Sequence, residues 1–198
     1  MFYALMRPSE VAVLTRQGCH LPETGWGCLI FADSSPAAGK AFTNDGQVHE
    51  HRRLKGRTKG RPSPNARRPV RRVPIPRELV ELLRAHMHRF GTAPDGRLFR
   101  SESGKSIQPS TWWQVWQKVR AASLTPEQQA SPLMKRPYDL RHSGVTWRLN
   151  SGVPAAEVAT WAGHSVEMLM RIYARCVAGL DDVWIARMDK TLHAEEEQ

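Results

Sequence analysis

The amino-acid sequence predicts a mainly α protein that carries one small antiparallel β-sheet, an α+β fold. Three short segments before residue 77 are predicted to be strands, and they are separated by stretches that contain Gly, Pro and Asn, as is typical of turns and loops. After residue 77, apolar residues mostly recur at helical spacing. The chain has 198 residues, of which 40% are hydrophobic, so it can bury a core as one compact domain.

The elements follow in chain order. A helix is predicted to begin at Arg7-Pro8, because proline is tolerated in the first helical turn, and to end at Gly18. Strands are predicted at 26–32, 47–54 and 70–76. Helices are predicted at 77–90, 110–122, 138–150, 154–162, 165–176 and about 180–192.

Two of these helices carry apolar stripes that we expect to face the core. The first stripe consists of Leu79, Leu82, Leu83 and Met87. The second stripe consists of Trp112, Trp113, Trp116 and Val119, for which core packing is favoured over base stacking.

The positive charge is concentrated in one block. The formal net charge is +10, and the segment from Arg52 to Arg72 contains ten Lys/Arg and no Asp or Glu, which leaves 19 basic and 19 acidic residues elsewhere. Such a block favours a polyphosphate partner, because the release of condensed counterions drives binding. Gly60, Pro62 and Pro64 oppose the amphipathic helix of a membrane-binding segment. A solvated loop is the alternative interpretation.

Several common chemistries are disfavoured by the sequence. Three cysteines without CxxC spacing indicate neither a disulfide framework nor a zinc site. The chain has no P-loop, HExxH or GxSxG motif and no run of clustered carboxylates for Mg²⁺, so we expect no metal and no cofactor. No signal peptide or apolar run of spanning length is seen, so we expect a soluble intracellular protein. Phosphoryl chemistry without a metal needs arginine forks, a proton donor and a hydroxyl nucleophile.

The stretch WAGHSVEMLMRIYARC, residues 161–176, could supply such a hydroxyl. Val166, Leu169, Tyr173 and Cys176 lie at i, i+3, i+7 and i+10, the spacing of a core-facing helical stripe, and Ser165 is a natural N-cap. Taken alone, this spacing favours a packed, structural tyrosine. The alternative is a nucleophile.

Longer motifs favour the nucleophile. The segment PYDLRHSGVTWRLNSGVPAAEVATWAGHSVEMLMRIYAR resembles the C-terminal catalytic core of the tyrosine recombinase (phage integrase) family, especially its actinobacterial-type members. That family has an Arg-His box, a Gly-His box about twenty residues later and a tyrosine nine residues after the second histidine. This chain has Arg141-His142, Gly163-His164 and Tyr173.

Two further segments extend the resemblance toward the N-terminus. MRPSEVAVL resembles the first arginine box, with the catalytic arginine at Arg7 and an acidic residue at Glu10. RRLKG…RRVPIP resembles the β-hairpin that carries a catalytic lysine, which falls best on Lys55, with Lys59 second. The similarity covers about residues 3–178 and implies the catalytic-core fold of DNA breaking-rejoining enzymes.

The resemblance implies a role for each matched residue. Arg7 and Arg141 would bind the non-bridging oxygens of the scissile phosphate, a task suited to a planar, permanently charged guanidinium. His164 would hydrogen-bond the same phosphate or accept the nucleophile's proton. Lys55 would protonate the departing 5′ oxygen, and Tyr173 would attack and form a 3′-phosphotyrosyl bond.

One position departs from the family pattern. The family usually has a histidine three residues before the second arginine, where this chain has Tyr138. A tyrosine can donate a hydrogen bond to a phosphate oxygen, but it cannot act as a base at neutral pH. His142 is expected to be structural, and Glu10 is expected to orient an arginine without touching DNA.

The resemblance also implies partners. Double-stranded DNA is the expected substrate, and a homo-oligomer on DNA, a tetrameric synaptic complex in the family, is the expected assembly. A bacterial, nucleoid-associated protein of a mobile element is therefore predicted. The residues expected to bind DNA are the cations Arg52, Arg53, Arg57, Lys59, Arg61, Arg67 and Arg68.

The expected domain organisation is a catalytic domain at 1–178 and a C-terminal helix with an acidic tail at 179–198, which would pack on a neighbouring protomer. Arg7 lies six residues from Met1, whereas family members reach this box after an N-terminal core-binding domain. We therefore expect that domain to be absent and complete recombination by this chain alone to be weak. Two alternatives remain open: an integrase remnant that binds DNA without turnover, and type IB topoisomerase-like relaxation.

Overall fold

The computed structural model describes residues 1–34, 52–53, 70–177 and 181–192. The chain forms two compact units, residues 1–144 and 145–198. The described helices are α1 (Pro8–Val11), α2 (Arg77–Phe90), α3 (Pro109–Ser123), α4 (Pro126–Ala130), α5 (Asp139–Asn150), α6 (Ala155–Ala162), α7 (Val166–Val177) and α8 (Asp181–Leu192). The described strands are β1 (Cys19–His20), β2 (Gly27–Phe31), β3 (Asp33–Ser34), β4 (Arg52–Arg53) and β5 (Arg71–Ile75). The predicted fold class, mainly helical with a small antiparallel sheet, is confirmed.

The first helix is shorter than predicted. Helix α1 ends at Val11, whereas its predicted end is Gly18. Beyond it, the chain pairs with a distant segment: the Leu98 N–H donates to the Leu14 carbonyl, and the Arg16 N–H donates to the Gly96 carbonyl, both at 2.9 Å. The β-branched residues of this stretch have modest helix propensity, so tertiary pairing decides its conformation. A short 3₁₀ helix and β1 take up the remaining residues.

Among the described residues, the strands form two antiparallel sheets. A three-stranded antiparallel sheet has the order β1-β2-β5, and β3 pairs with β4 in a separate two-stranded sheet. The predicted second strand, 47–54, is described only at 52–53, so its other residues lie outside the described part of the chain. The sheet's buried face alternates along β2 and β5 and includes Leu29, Phe31, Val73 and Ile75.

Two apolar stripes are narrower than predicted. On α2 the buried residues are Val80 and Leu83, whereas Leu82 is 64% exposed. On α3 only Trp116 is buried, and its indole Nε1 donates to the Met134 carbonyl at 3.0 Å. Trp113 remains about half exposed, because a surface helix buries only one side of its circumference.

The second unit contains three complete helices, α6 to α8, and α6 packs against α7. Its buried side chains include Val158, Leu169 and Tyr173. Helix α8 is held to the turn after α5, where the Arg187 Nη2 donates to the Ser151 carbonyl at 2.8 Å. Among the helices of the described ranges, none combines the length and the hydrophobicity needed to span a bilayer.

Candidate active site

Arg7 lies at the N-cap of α1. Its extended backbone, with φ −80° and ψ 154°, lets Pro8 occupy the first helical position. The Glu10 carboxylate folds back and accepts the Arg7 N–H at 2.7 Å, half of a capping box. The same carboxylate accepts the Arg7 Nη1 at 3.0 Å, so the arginine is fixed at its backbone and at its head. The Arg7 side chain remains about one-third exposed.

Glu10 is completely buried and also accepts hydrogen bonds from a second arginine. Arg71, at the start of β5, donates Nη1 to Oε1 at 2.9 Å and Nη2 to Oε2 at 2.6 Å, a bidentate pair. Burial raises the pKa of Glu10, but the hydrogen bonds and charges of Arg71 and Arg7 more than offset it. The net pKa lies below its ordinary value of 4.5, so the carboxylate is ionised at neutral pH.

Substituting Glu10→Gln is expected to destabilise the chain by about 3–5 kcal/mol at pH 7, because it leaves the buried Arg71 charge uncompensated. A depressed carboxyl pKa contributes stability that is present above the unfolded pKa and lost as pH falls through the folded pKa. The difference between wild type and variant should therefore shrink below about pH 4.5. Urea unfolding at pH 7, 5 and 3.5 measures it.

The matched control is Glu81→Gln, which removes the carboxylate of the exposed pair that Arg77 forms at 2.6 Å. It should cost under about 1 kcal/mol at each pH. An equal loss for Glu10→Gln at pH 7 and pH 3.5 would contradict the electrostatic account of this carboxylate.

Arg141, on α5, is fully buried. Its Nη1 donates to the carbonyl of Leu5, a residue with a positive φ of 50° that carries local backbone strain. Gly144, one turn further along α5, makes this approach possible, because a Cβ there would collide with the Phe2 carbonyl. Strain next to a buried arginine is a pointer to function.

The electrostatics of Arg141 are set by burial and by its neighbours. Burial, followed by the charge of Arg7, lowers the pKa of Arg141 to about 10, and Tyr138 and Glu10 act in the opposite direction. The guanidinium is therefore still protonated at neutral pH. The first unit thus assembles two predicted phosphate-binding arginines, and in this conformation Arg141 exposes no surface to a ligand.

Tyr138 lies beside Arg141. The Arg141 Cζ is 5.9 Å from the centroid of the Tyr138 ring, a weak cation–π arrangement. The ring of His142 meets the Tyr138 ring edge-on at 5.0 Å between centroids. Burial lowers the pKa of His142, so its imidazole is neutral at pH 7. These contacts are consistent with a structural His142.

In the second unit, the helix ends fix the position of His164. Gly163 adopts the left-handed conformation, φ 64° and ψ 43°, after the last residue of α6. The Gly163 N–H donates to the Thr160 carbonyl and the His164 N–H to the Ala159 carbonyl, which together form a Schellman motif. The Ser165 hydroxyl then accepts the Met168 N–H at 3.1 Å, the predicted N-cap of α7.

Tyr173 lies on α7 and is 3% exposed. Leu169, one turn earlier, is completely buried, so the predicted stripe is confirmed at these two positions. Val166 is more exposed than predicted, at 37%, because it begins the helix. The side chain of Cys176 lies outside the described residues.

Most residues of the basic block lie outside the described part of the chain. Arg52 and Arg53 form β4, which pairs with β3, while Lys55, Arg57, Lys59, Arg61, Arg67 and Arg68 fall outside the described residues. Within the part of the chain that the structure describes, no group of three or more His, Cys, Asp or Glu side chains could hold a metal ion.

Two buried arginines were not predicted as site residues from the sequence. Arg71 shares its strand face with Val73 and Ile75, and this alternation could have marked it as a buried cation in need of a carboxylate. Arg148 follows Arg141 by seven residues on α5 and is 2% exposed. Burial lowers its pKa to about 10.

Comparison with known proteins decides the family. The model of the phage integrase family matches residues 43–178, more than half of the chain. The chain belongs to the phage integrase family. The matched range includes Arg71, Arg141, His164 and Tyr173, whereas Arg7 precedes it.

The chain is also similar to individual proteins. It is 27% identical over 130 residues to the prophage phiRv2 integrase of Mycobacterium tuberculosis, in each of two strains, covering 64% of this chain and 33% of the relative. The chain therefore spans about a third of the length of the curated relatives it matches.

Solved structures share the fold of this chain. The Tn1549 transposon integrase, in complex with circular intermediate DNA, superposes with a TM-score of 0.66 at 18% identity, covering 94% of this chain and 57% of the other. The XerH site-specific recombinase, in its post-cleavage complex with a palindromic difH substrate, superposes with a TM-score of 0.58 at 17% identity, covering 92% and 42%. At these identities the comparison establishes the catalytic-domain fold of tyrosine recombinases.

Proposed function

We propose that residues 1–178 are the catalytic domain of a site-specific tyrosine recombinase, which cuts and rejoins DNA strands through a 3′-phosphotyrosyl intermediate. The observation that carries this proposal is the family match, which runs through Arg141-His142 and Gly163-His164 and reaches Tyr173 with the spacing of the family. The fold shared with recombinases solved on DNA supports it.

The proposed reaction is a transesterification. The Tyr173 oxygen attacks the scissile phosphorus, a new P–O bond forms to the tyrosine, and the bond to the 5′ oxygen breaks. A free tyrosine has a pKa of about 10, so the phenolate that develops needs nearby cations at neutral pH. Because the phosphotyrosyl linkage conserves the energy of the phosphodiester, attack by a 5′ hydroxyl rejoins the strand without ATP.

Other residues would stabilise and protonate the reacting groups. Arg7 and Arg141 bind the non-bridging oxygens, and His164 hydrogen-bonds the phosphate or accepts the phenolic proton. Lys55 donates a proton to the leaving 5′ oxygen. Tyr138, in the place of the usual histidine, donates a hydrogen bond to the phosphate and does not act as a base.

The proposed partner is double-stranded DNA, contacted through seven cations of the basic block: Arg52, Arg53, Arg57, Lys59, Arg61, Arg67 and Arg68. The Tn1549 and XerH structures are complexes with DNA, and this chain shares their fold. Contacts to phosphate from such a block strengthen binding without specifying sequence. With DNA as the substrate, the proposed location is the bacterial nucleoid.

The proposed assembly is a homo-oligomer on paired DNA sites, with α8 as the element that packs on a neighbouring protomer. Four apolar side chains of α8 are at least 40% exposed and unusual for a solvated helix: Val183, Ile185, Met188 and Leu192. The contact of Arg187 with Ser151 holds α8 on its own chain, and exchange would have to release it.

The first test is covalent capture. The chain is incubated with a pool of nicked duplexes that tile the DNA flanking its own coding sequence, so that cleavage near the nick traps the enzyme. We expect an SDS-resistant protein–DNA complex, formed equally well in EDTA, because the proposed charge stabilisation comes from arginines. Loss of cleavage in EDTA that Mg²⁺ restores, with DNA binding unchanged, would refute the metal-free mechanism.

A second assay separates this function from its two alternatives. Strand exchange between two captured sites indicates a recombinase, whereas relaxation of a supercoiled circle without exchange indicates a topoisomerase-like enzyme. DNA binding with no covalent complex on any duplex of the pool indicates a binding remnant. The last two outcomes would each overturn the proposal.

A further inference from the structure

We propose that Arg71 is a positioning residue for Arg7: it fixes the Glu10 carboxylate that in turn holds the Arg7 guanidinium ready for the phosphate. The inference rests on the proposed function, because phosphate binding by Arg7 is part of that proposal. The contacts among Arg7, Glu10 and Arg71 are observed in the structure itself. No motif of the sequence assigned a role to Arg71.

The geometry forms a chain of three side chains. Both oxygens of Glu10 accept from Arg71, at 2.9 and 2.6 Å, and both also accept from Arg7, at 3.0 Å from Nη1 and 2.7 Å from the backbone N–H. Glu10 is completely buried and Arg71 is 7% exposed, so water does not compete for these bonds. Arg7 is the only member of the trio with substantial exposure, which leaves its head able to meet a ligand.

Two further contacts fix Arg71 itself. The Arg71 residue pairs with Phe31 across the sheet, and its guanidinium lies 5.0 Å from the centroid of the Phe31 ring. Its neighbour Arg72 points to the opposite, exposed face of the same strand. Arg71 and Arg72 are adjacent at the C-terminal end of the basic block, but their environments differ. Arg71 contacts Glu10 of the first arginine box, whereas Arg72 is exposed.

The arrangement requires a guanidinium. A planar fork places two N–H groups against both carboxylate oxygens at once, whereas an ammonium is a point charge that can satisfy one oxygen well. With lysine at position 71, the Glu10 carboxylate can rotate, and the Arg7 head moves with it. A misplacement of about 1 Å at a reacting group can cost about 10²-fold in rate.

The catalytic test uses Arg71→Lys in the full chain. The rate of covalent complex formation at saturating DNA should fall about 10- to 100-fold, while the DNA dissociation constant changes less than about threefold. Arg77→Lys is the matched control, because it makes the same substitution in an exposed Arg–Glu pair of the same unit, and it should leave the rate unchanged.

A double-substitution cycle asks whether Arg71 acts through Arg7. If it does, Arg7→Lys combined with Arg71→Lys should be no slower than Arg7→Lys alone. Multiplicative losses would mean that Arg71 acts independently and would overturn the proposal. A loss in Arg72→Lys as large as that in Arg71→Lys would do the same, since Arg72 lies on the other face of the strand.

A spectroscopic readout keeps this test separate from the proposed function. Rotation of the Arg7 guanidinium about its Nε–Cζ bond is followed by ¹⁵N NMR, with the resonances assigned by their loss in Arg7→Lys. We expect rotation at least about tenfold faster in Arg71→Lys than in wild type, because a point charge holds the shared carboxylate less firmly than a fork. Unchanged rotation would overturn the proposal even if the variant cleaves slowly.

A second variant guards against misfolding. In the combined Glu10→Gln and Arg71→Met variant both buried charges are removed, which costs far less than removing one. This variant should fold, as judged by circular dichroism, and show fast Arg7 rotation, because the shared carboxylate is gone. Slow rotation would mean that other groups hold Arg7 and would overturn the proposal. If the wild-type chain forms no covalent complex, the proposed function fails, and the NMR result alone decides the role of Arg71.

Discussion

Tyr173→Phe is expected to abolish covalent protein–DNA complexes while DNA binding is retained. The substitution removes one oxygen from a side chain that is 3% exposed and keeps the ring that packs on α7, so the fold should survive. Covalent catalysis through this hydroxyl has no substitute in the proposed site, and the loss should therefore be complete. The measurement is SDS-resistant complex on nicked duplexes, with binding followed by gel shift.

The chain offers two matched controls for this substitution, because it contains only three tyrosines. Tyr3→Phe removes a hydroxyl outside the proposed site and should leave complex formation unchanged. Tyr138→Phe removes a proposed hydrogen bond to phosphate and should slow cleavage about tenfold without abolishing it. Covalent complexes formed by Tyr173→Phe would show that another residue is the nucleophile.

The second large effect is expected for Arg141→Lys. Lysine retains a positive charge but loses the planar fork, so the variant should cleave about 10²–10³-fold more slowly at saturating DNA, as when one preorganised donor to a developing charge is removed. It should also lose stability, because Arg141 is fully buried and bonded to the Leu5 carbonyl. Single-turnover cleavage and urea unfolding measure the two losses separately.

Arg148→Lys is the control that separates stability from catalysis. Arg148 is on the same helix, is 2% exposed and, like Arg141, has its pKa lowered to about 10 by burial. It should lose comparable stability but cleave within about tenfold of wild type. Equal catalytic losses in the two variants would mean that Arg141 matters for folding and not for phosphate binding.

The helical part of the fold was readily predicted because its boundaries carry chemical signals. Pro76 and Gly91 bracket α2, and its predicted bounds agree with those of the structure. Gly163 and Ser165 mark the joint between α6 and α7, since one supplies the left-handed residue and the other the N-cap. Local residues decide such joints, so a sequence reveals them.

The features that depend on distant partners were not predicted. The end of α1 is decided by hydrogen bonds from Arg16 and Leu98, more than eighty residues apart in the sequence. The pairing of β2 with β5 is also long-range, and nothing local favours it over a hairpin of β4 with β5. Such long-range pairing depends on how the whole chain packs, so local sequence signals do not reveal it.

In the candidate site, too, some features were predicted from the sequence and others depend on distant partners. The sequence motifs indicated Arg7, Arg141, His164 and Tyr173 by residue type and spacing, but spacing carries no information about exposure. The burial of Arg141 and Tyr173 is visible only in the structure, and so is the use of Glu10 by two arginines. In the proposed reaction, a phosphate would reach Arg141 and Tyr173 only after the residues that cover them move.

The alternation along β5 restricts how this part of the gene can vary in length. Codons added or removed before Arg71 leave the order of inward and outward residues in the strand unchanged. A single codon inserted between Arg72 and Val73 would reverse the face of every residue upstream relative to those downstream, so Arg71 would be turned outward and Arg72 inward. Homologues should therefore keep the number of residues from Arg71 to Ile75 fixed.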